Sequence, residues 1–216
     1  MNDEDLALHI EARMRTWSQA MYGIVHAMRI LRAVDLGNIK KVGYSMRQSL
    51  SWVESNLGFD SSIPERDLNV ASFDLEGETE EAIFSKLASA ISNTLTVSLT
   101  SLLDECLGEV LAARGYNPHS VAGGKLDQLR AYLPENVAQG NEWALTGARE
   151  LVTIRNVLVH SGGVWNERPI KTLPGNGRKP ATGEPLSVGF GDVLRYKRAV
   201  RTLLNEAQKM VPHYQR

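Results

Sequence analysis

The sequence is poor in the features that mark secreted and membrane proteins. It has a single cysteine, Cys106, which excludes an internal disulfide and gives no sign of an oxidising compartment. No uncharged apolar run approaches the ~18 residues that a membrane span needs. The N-terminus is acidic where a signal peptide would be basic. We therefore expect a cytoplasmic protein that is not embedded in a membrane.

The chain also lacks an excess of charge of either sign. Its 24 basic and 25 acidic residues give a formal net charge of -1. This balance excludes a nucleic-acid binder that is basic over its whole surface, although it leaves room for a local basic patch.

Motifs of the common enzyme classes are absent as well. The sequence contains neither the Gly-x-Ser-x-Gly turn of serine hydrolases nor the His-Glu-x-x-His pair of zinc proteases. The single cysteine and the five histidines do not have the spacing that is typical of a zinc site. We expect neither a metal ion nor any other cofactor.

What the sequence does have is a series of apolar stripes with helical spacing. Apolar residues recur every three or four positions, in stretches that Gly- and Pro-containing segments separate. The stripes predict an all-α helical bundle. The predicted helices cover residues 3–31, 39–57, 79–114, 125–133, 141–160 and 192–210, with a short strand at 186–188. We divide the chain into an N-terminal helical hairpin (1–58), a linker or wrapping loop (59–78) and the main bundle (79–216).

One polar motif interrupts the apolar pattern of the fifth predicted helix. The stretch from Arg155 to His160 reads Arg-Asn-Val-Leu-Val-His and is followed by Ser-Gly-Gly. Asn156 and His160 are four residues apart and share a face of the helix. Arg155 lies about 140° round the helix from His160, so we expect their side chains to converge from two copies of the chain across a twofold axis. Histidine can exchange a proton near neutral pH, and a guanidinium binds phosphate through paired hydrogen bonds.

The motif resembles the signature of the HEPN superfamily. In that signature an arginine and a polar residue are followed, a few positions later, by a histidine near the end of a helix. The resemblance implies a HEPN-like helical bundle over about residues 79–210, to which the N-terminal hairpin is an extension. It also implies a homodimer whose two motifs line one cleft, and metal-independent RNA cleavage by ribose 2′-hydroxyl attack. Arg155, Asn156 and His160 then fill the catalytic positions. Such ribonucleases act as toxins or in defence against phages, so an antitoxin or regulatory protein partner is expected.

Basic residues follow the motif in a long Gly- and Pro-rich segment, about residues 164–189, which we call the excursion, and in the last helix. We interpret four of them and one aromatic residue as candidate RNA contacts: Arg168, Lys171, Arg195, Arg198 and Trp165. Each of these five residues also has a simpler interpretation. The charges fit an ordinary solvated surface equally well, and the tryptophan fits a lid over the end of the bundle better than a stacking platform.

Two other functions are compatible with the same residues. A non-catalytic HEPN-type module would bind RNA, a nucleotide or a protein partner, with Arg155 and His160 as a polar pair in an interface. A helical adaptor would use the N-terminal hairpin for assembly, and the motif would then be an ordinary helix end.

Overall fold

The computed structural model describes residues 3–33, 79–116, 124–174 and 179–210. Within these ranges the chain folds into helices, without a named strand, so the predicted all-α class is confirmed. In chain order the helices are α1 (Asp3–Ala33), α2 (Glu80–Ala113), α3 (Lys125–Tyr132), α4 (Glu135–Gly140), α5 (Glu142–His160), α6 (Glu167–Thr172) and α7 (Phe190–Gln208).

The chain divides into two compact units. One unit combines Met1–Gly23 with Ala88–Arg216, and the other is Ile24–Leu87. The second helix of the predicted N-terminal hairpin (39–57) and the predicted linker (59–78) lie outside the described residues. The first unit contains the motif.

The beginning of α1 belongs to the first unit because its apolar stripe is buried. Leu6, Ile10 and Met14 are almost completely buried at the four-residue spacing of one helix face. Arg13, on the neighbouring face, forms ion pairs with two carboxylates of α2, those of Glu105 and Glu109. The apolar stripe thus holds α1 in the bundle, and the ion pairs fix its register against α2.

Besides the buried stripe of α1, the core of the first unit is made mainly by α2, α3, α5 and α7. Their buried apolar residues recur at three- and four-residue intervals, and each large side chain that leaves water contributes about 1.5–3 kcal/mol. The largest fully buried members are Leu99, Leu103, Leu107 and Leu111 on α2, Leu129 on α3, Leu145 and Leu151 on α5, and Tyr196 and Leu203 on α7.

Helices α5 and α7 pack against each other in antiparallel directions. Trp143 contacts Arg198 near the start of α5, and Glu150 contacts Arg195 about two turns later. Between these pairs the backbones approach closely at Gly147, where an added Cβ would stand 3.1 Å from the Cβ of Ala199. Glycine is what allows this approach.

The excursion after α5 differs from its prediction. The segment predicted as a strand, 186–188, forms no strand; instead Val164 makes an isolated antiparallel bridge with Pro185. Three backbone hydrogen bonds surround this bridge: Leu186 donates to Gly163 O at 2.7 Å, Trp165 donates to Glu184 O at 3.0 Å, and Gly183 donates to Trp165 O at 2.8 Å. Pro185 itself has no N–H with which to extend a ladder. Helix α6 lies inside the excursion, and its presence was not predicted.

Candidate functional site

The motif stands in the last two turns of α5, on a side that faces solvent. Ile154 and Val157 are buried and anchor this end of the helix in the core. Arg155 is partly exposed, and Asn156 and His160 are exposed. The packing of the buried neighbours therefore presents the three polar side chains outward. We call Arg155, Asn156 and His160 the motif site.

Within one chain the guanidinium already meets the imidazole. Arg155 Nη1 lies 3.2 Å from His160 Nε2, and it also donates to Asn156 Oδ1 at 3.1 Å. The separation of about 140° on the helix predicts that two copies of the chain are needed for this encounter. The long arginine side chain bridges that angle. Because a guanidinium has no acceptor atoms, this contact uses the lone pair of Nε2 and requires a neutral imidazole.

The turn that follows α5 fixes the surroundings of His160. Gly162 and Gly163 have φ of 60° and 78°, in the left-handed region that residues other than glycine rarely adopt. Asn166 then joins the turn to α6: its Nδ2 donates to Ser161 Oγ at 2.6 Å, and its Oδ1 accepts from the backbone of Arg168 at 3.2 Å. Helix α6 is therefore held beside the end of α5.

The two candidate RNA contacts on α6 have exposed side chains. Lys171 lies 3.5 Å from Glu167, an exposed pair one turn apart, and such pairs contribute little. Arg168 is exposed and has no side-chain partner among the described residues. Both residues lie on the helix that Asn166 joins to the motif site. Of the two, only Arg168 has a charge that no described carboxylate pairs with.

Trp165 is 7% exposed, which fits the interpretation that it covers the end of the bundle. Together with Ile154, Tyr196 and Leu186, it lines a cavity of about 280 Å³ under the excursion. This arrangement leaves little of its ring for an incoming base.

Arg195, on α7, is engaged in a compact polar cluster. Its guanidinium donates to both carboxylate oxygens of Glu150, at 3.0 and 2.7 Å. The hydroxyl of Tyr196 donates to the same carboxylate at 2.7 Å. The hydrogen bonds to Glu150 raise the pKa of Arg195. Burial, and then the bond to Glu150, raise the pKa of Tyr196 far above its ordinary value. Both groups therefore keep their protons over the whole range in which the protein would work.

The helix geometry separates the α7 residues from the motif site. Trp143, Gly147 and Glu150 mark the side of α5 that contacts α7. At 3.6 residues per turn, Arg155 and His160 each lie roughly 110° round the helix from that side, in opposite directions, and their side chains meet on the far side. The structure thus brings together Arg155, Asn156 and His160, ties α6 to them, and places Arg195 and Arg198 on another side of the helix.

Trp143 was not singled out in the sequence, although it is one of two large apolar residues of α5 that are exposed. It is 47% exposed in the first turn of the helix, and the guanidinium carbon of Arg198 lies 5.7 Å from the centre of its ring. Its position in the sequence could have indicated that it is exposed, because it lies beside the apolar stripe that begins at Ala144 and Leu145 and not within that stripe.

Comparison with known proteins identifies no relative. No protein-family model, no curated protein and no solved structure matches this chain. Among the described residues no three histidine, cysteine or acidic side chains are grouped as metal ligands would be. None of the described helices combines the length and the apolar character that a membrane crossing requires.

Proposed function

We propose that the chain is a metal-independent endoribonuclease of the HEPN type, with a role as a toxin or in defence against phages. The observation that carries the proposal is the 3.2 Å contact between Arg155 Nη1 and His160 Nε2, on an exposed helix end. An acid–base group and a phosphate-binding group within reach of each other are the minimum that RNA cleavage by the 2′-hydroxyl needs.

In this mechanism His160 is the base and Arg155 binds the scissile phosphate. Nε2 of His160 takes the proton of the ribose 2′-hydroxyl, and the 2′-oxygen attacks the phosphorus. The bond to the 5′-oxygen breaks, and that oxygen leaves with a proton returned by the imidazolium. The products are a 2′,3′-cyclic phosphate and a 5′-hydroxyl. Arg155 stabilises the charge that develops on the phosphate oxygens, and Asn156 orients the guanidinium through its 3.1 Å bond.

The contact between the two side chains also implies an order of events. While Arg155 donates to Nε2, the lone pair that must accept the proton is occupied. A phosphate offers the guanidinium two charged acceptors, which form stronger bonds than a neutral imidazole does. The arrival of RNA therefore draws Arg155 away and frees the base.

The proposal includes a homodimer in which two motif sites share one cleft. Two apolar side chains close in sequence to His160 support a contact there: Val159 is 47% exposed and Val164 is 41% exposed. Burial of these side chains against a second copy would remove apolar surface from water. Unrestrained RNA cleavage would harm the cell that makes the protein, so the proposal also includes an antitoxin or another regulatory partner.

The test is cleavage of total RNA by the purified protein in the presence of a chelator. The wild type and His26→Ala, a matched change at an exposed histidine of α1, should both produce fragments with cyclic phosphate ends. His160→Ala should produce none. Equal cleavage by all three proteins, or cleavage by none, would contradict the proposal. RNA binding without cleavage would instead favour the non-catalytic module.

A further inference from the structure

A second surface of the first unit has the composition of a nucleic-acid contact. It consists of Trp143 on α5 and of Leu194, Arg198 and Arg201 on α7, and we call it the Trp143 surface. Trp143 is 47% exposed and Leu194 is 45% exposed. Arg198 lies over the tryptophan ring at 5.7 Å, within the range of a cation–π contact.

The part of this surface on α7 is positive, and the acidic neighbour of Trp143 in sequence, Glu142, lies 3.9 Å from Arg149. Leu194, Arg198 and Arg201 recur at intervals of four and three residues, so they form one exposed row on α7. The acidic residues closest to the row in sequence are engaged elsewhere: Asp192 accepts from the backbone of Gly189 at 3.0 Å, and Glu206 accepts from Lys209 at 2.7 Å. Arg198 and Arg201 therefore face solvent without a carboxylate partner among the described residues.

The apolar part of the surface is too small for a protein partner. A stable protein interface buries about 800 Å² on each side around an apolar centre, whereas here two side chains are available. One exposed tryptophan beside guanidinium groups suits a different occupant, because every base can stack on an indole and every phosphate can pair with an arginine. We propose that the Trp143 surface binds single-stranded RNA, with one base on Trp143 and the flanking phosphates on Arg198 and Arg201.

This surface lies far from the motif site. Trp143 stands in the first turn of the 19-residue helix α5 and His160 at its last residue, so a rise of 1.5 Å per residue places them roughly 25 Å apart along the helix. They also lie on different sides of it. An RNA that is bound at both the Trp143 surface and the motif site must therefore be several nucleotides long. The inference rests on the proposed function for its choice of RNA, and it adds a requirement for substrate length.

Binding tests the inference without cleavage. With a labelled single-stranded RNA and the His160→Ala background, we expect Trp143→Ala to weaken binding about 5- to 150-fold in fluorescence anisotropy. Trp143→Phe should retain most of the affinity, since an aromatic face remains. Leu8→Ala, which removes an exposed apolar side chain from α1, is the control and should change nothing. Arg201→Gln should lower the slope of log K against log salt by about 1.

A cleavage assay separates this inference from the proposed function. Trp143→Ala should raise KM for a long RNA and leave the cleavage of a dinucleotide unchanged. If the wild type cleaves no RNA yet binds it through Trp143, the proposed function fails and the Trp143 surface stands. Unchanged binding by Trp143→Ala, or an equal loss of affinity for duplex and single-stranded RNA, would overturn the inference.

Discussion

The side of α5 that contacts α7 is closed by packing and ion pairs, whereas the side that carries Arg155 and His160 is open. On the closed side Gly147 allows the two helices to approach closely, and the carboxylate of Glu150 accepts hydrogen bonds from both Arg195 and Tyr196. On the open side Arg155 Nη1 lies 3.2 Å from His160 Nε2. An arginine near the motif is therefore not by itself free to bind phosphate: Arg195 is held by a carboxylate, whereas Arg155 contacts an uncharged amide and an imidazole.

The largest effect should come from a conservative change on the open side. Arg155→Lys keeps the charge but loses the planar fork that binds two phosphate oxygens. We expect RNA cleavage to fall about 10²- to 10³-fold, with unfolding changed by less than about 0.5 kcal/mol. Arg149→Lys, on the same helix but paired with Asp127 at 3.2 Å, should cleave like the wild type. A fully active Arg155→Lys enzyme would show that paired phosphate binding is not needed.

A change on the closed side should act on stability instead. Gly147→Val places atoms where Ala199 already stands, 3.1 Å from the first added carbon. We expect a loss of about 1–3 kcal/mol in urea unfolding, since the two helices must separate. Gly191→Ala in α7, where an added Cβ meets nothing within 4 Å, is the control and should be neutral or slightly stabilising. An unchanged midpoint for Gly147→Val would mean that the contact between α5 and α7 is looser than described.

The long helices could be predicted from the sequence because their apolar periodicity reports burial directly. The structure places α2 at Glu80–Ala113 and α5 at Glu142–His160, within about two residues of the predicted ends. The six-residue helices α4 and α6 were missed, since so few residues cannot display a period. The Asn166 cap of α6 was visible in the sequence as an Asn before an acidic residue, and it was overlooked.

The partners of the charged residues could not be predicted. Glu150 and Arg195 are 45 positions apart, and nothing local distinguishes a paired arginine from a free one. The contact of Arg155 with His160 was also unexpected, because helix geometry fixes where a side chain starts and not how far a flexible one extends. The sequence therefore predicts that Arg155, Asn156 and His160 lie on one helix, but not the arrangement of the charges around them.

The smallest effect should come from the hydroxyl at the centre of the closed side. Tyr196→Phe removes the 2.7 Å bond to Glu150 and leaves Arg195 in place, so we expect a loss of about 0.5–1.5 kcal/mol at pH 7 and normal cleavage. Tyr132→Phe, which keeps its ring stack on Tyr116, should have a smaller effect.

The pH dependence of this loss identifies its cause. Burial raises the pKa of Tyr196 in the folded state above its ordinary value of 10.0, which the unfolded chain keeps. The stabilisation is therefore complete below pH 10.0 and is lost progressively as the pH rises beyond it, because the unfolded state then releases a proton that the folded state retains. The difference between wild type and Tyr196→Phe in urea unfolding should accordingly shrink between about pH 10 and 11. A difference that stays constant over that range would mean that the pKa of Tyr196 is the same in the folded and unfolded states, and would contradict the burial of its hydroxyl.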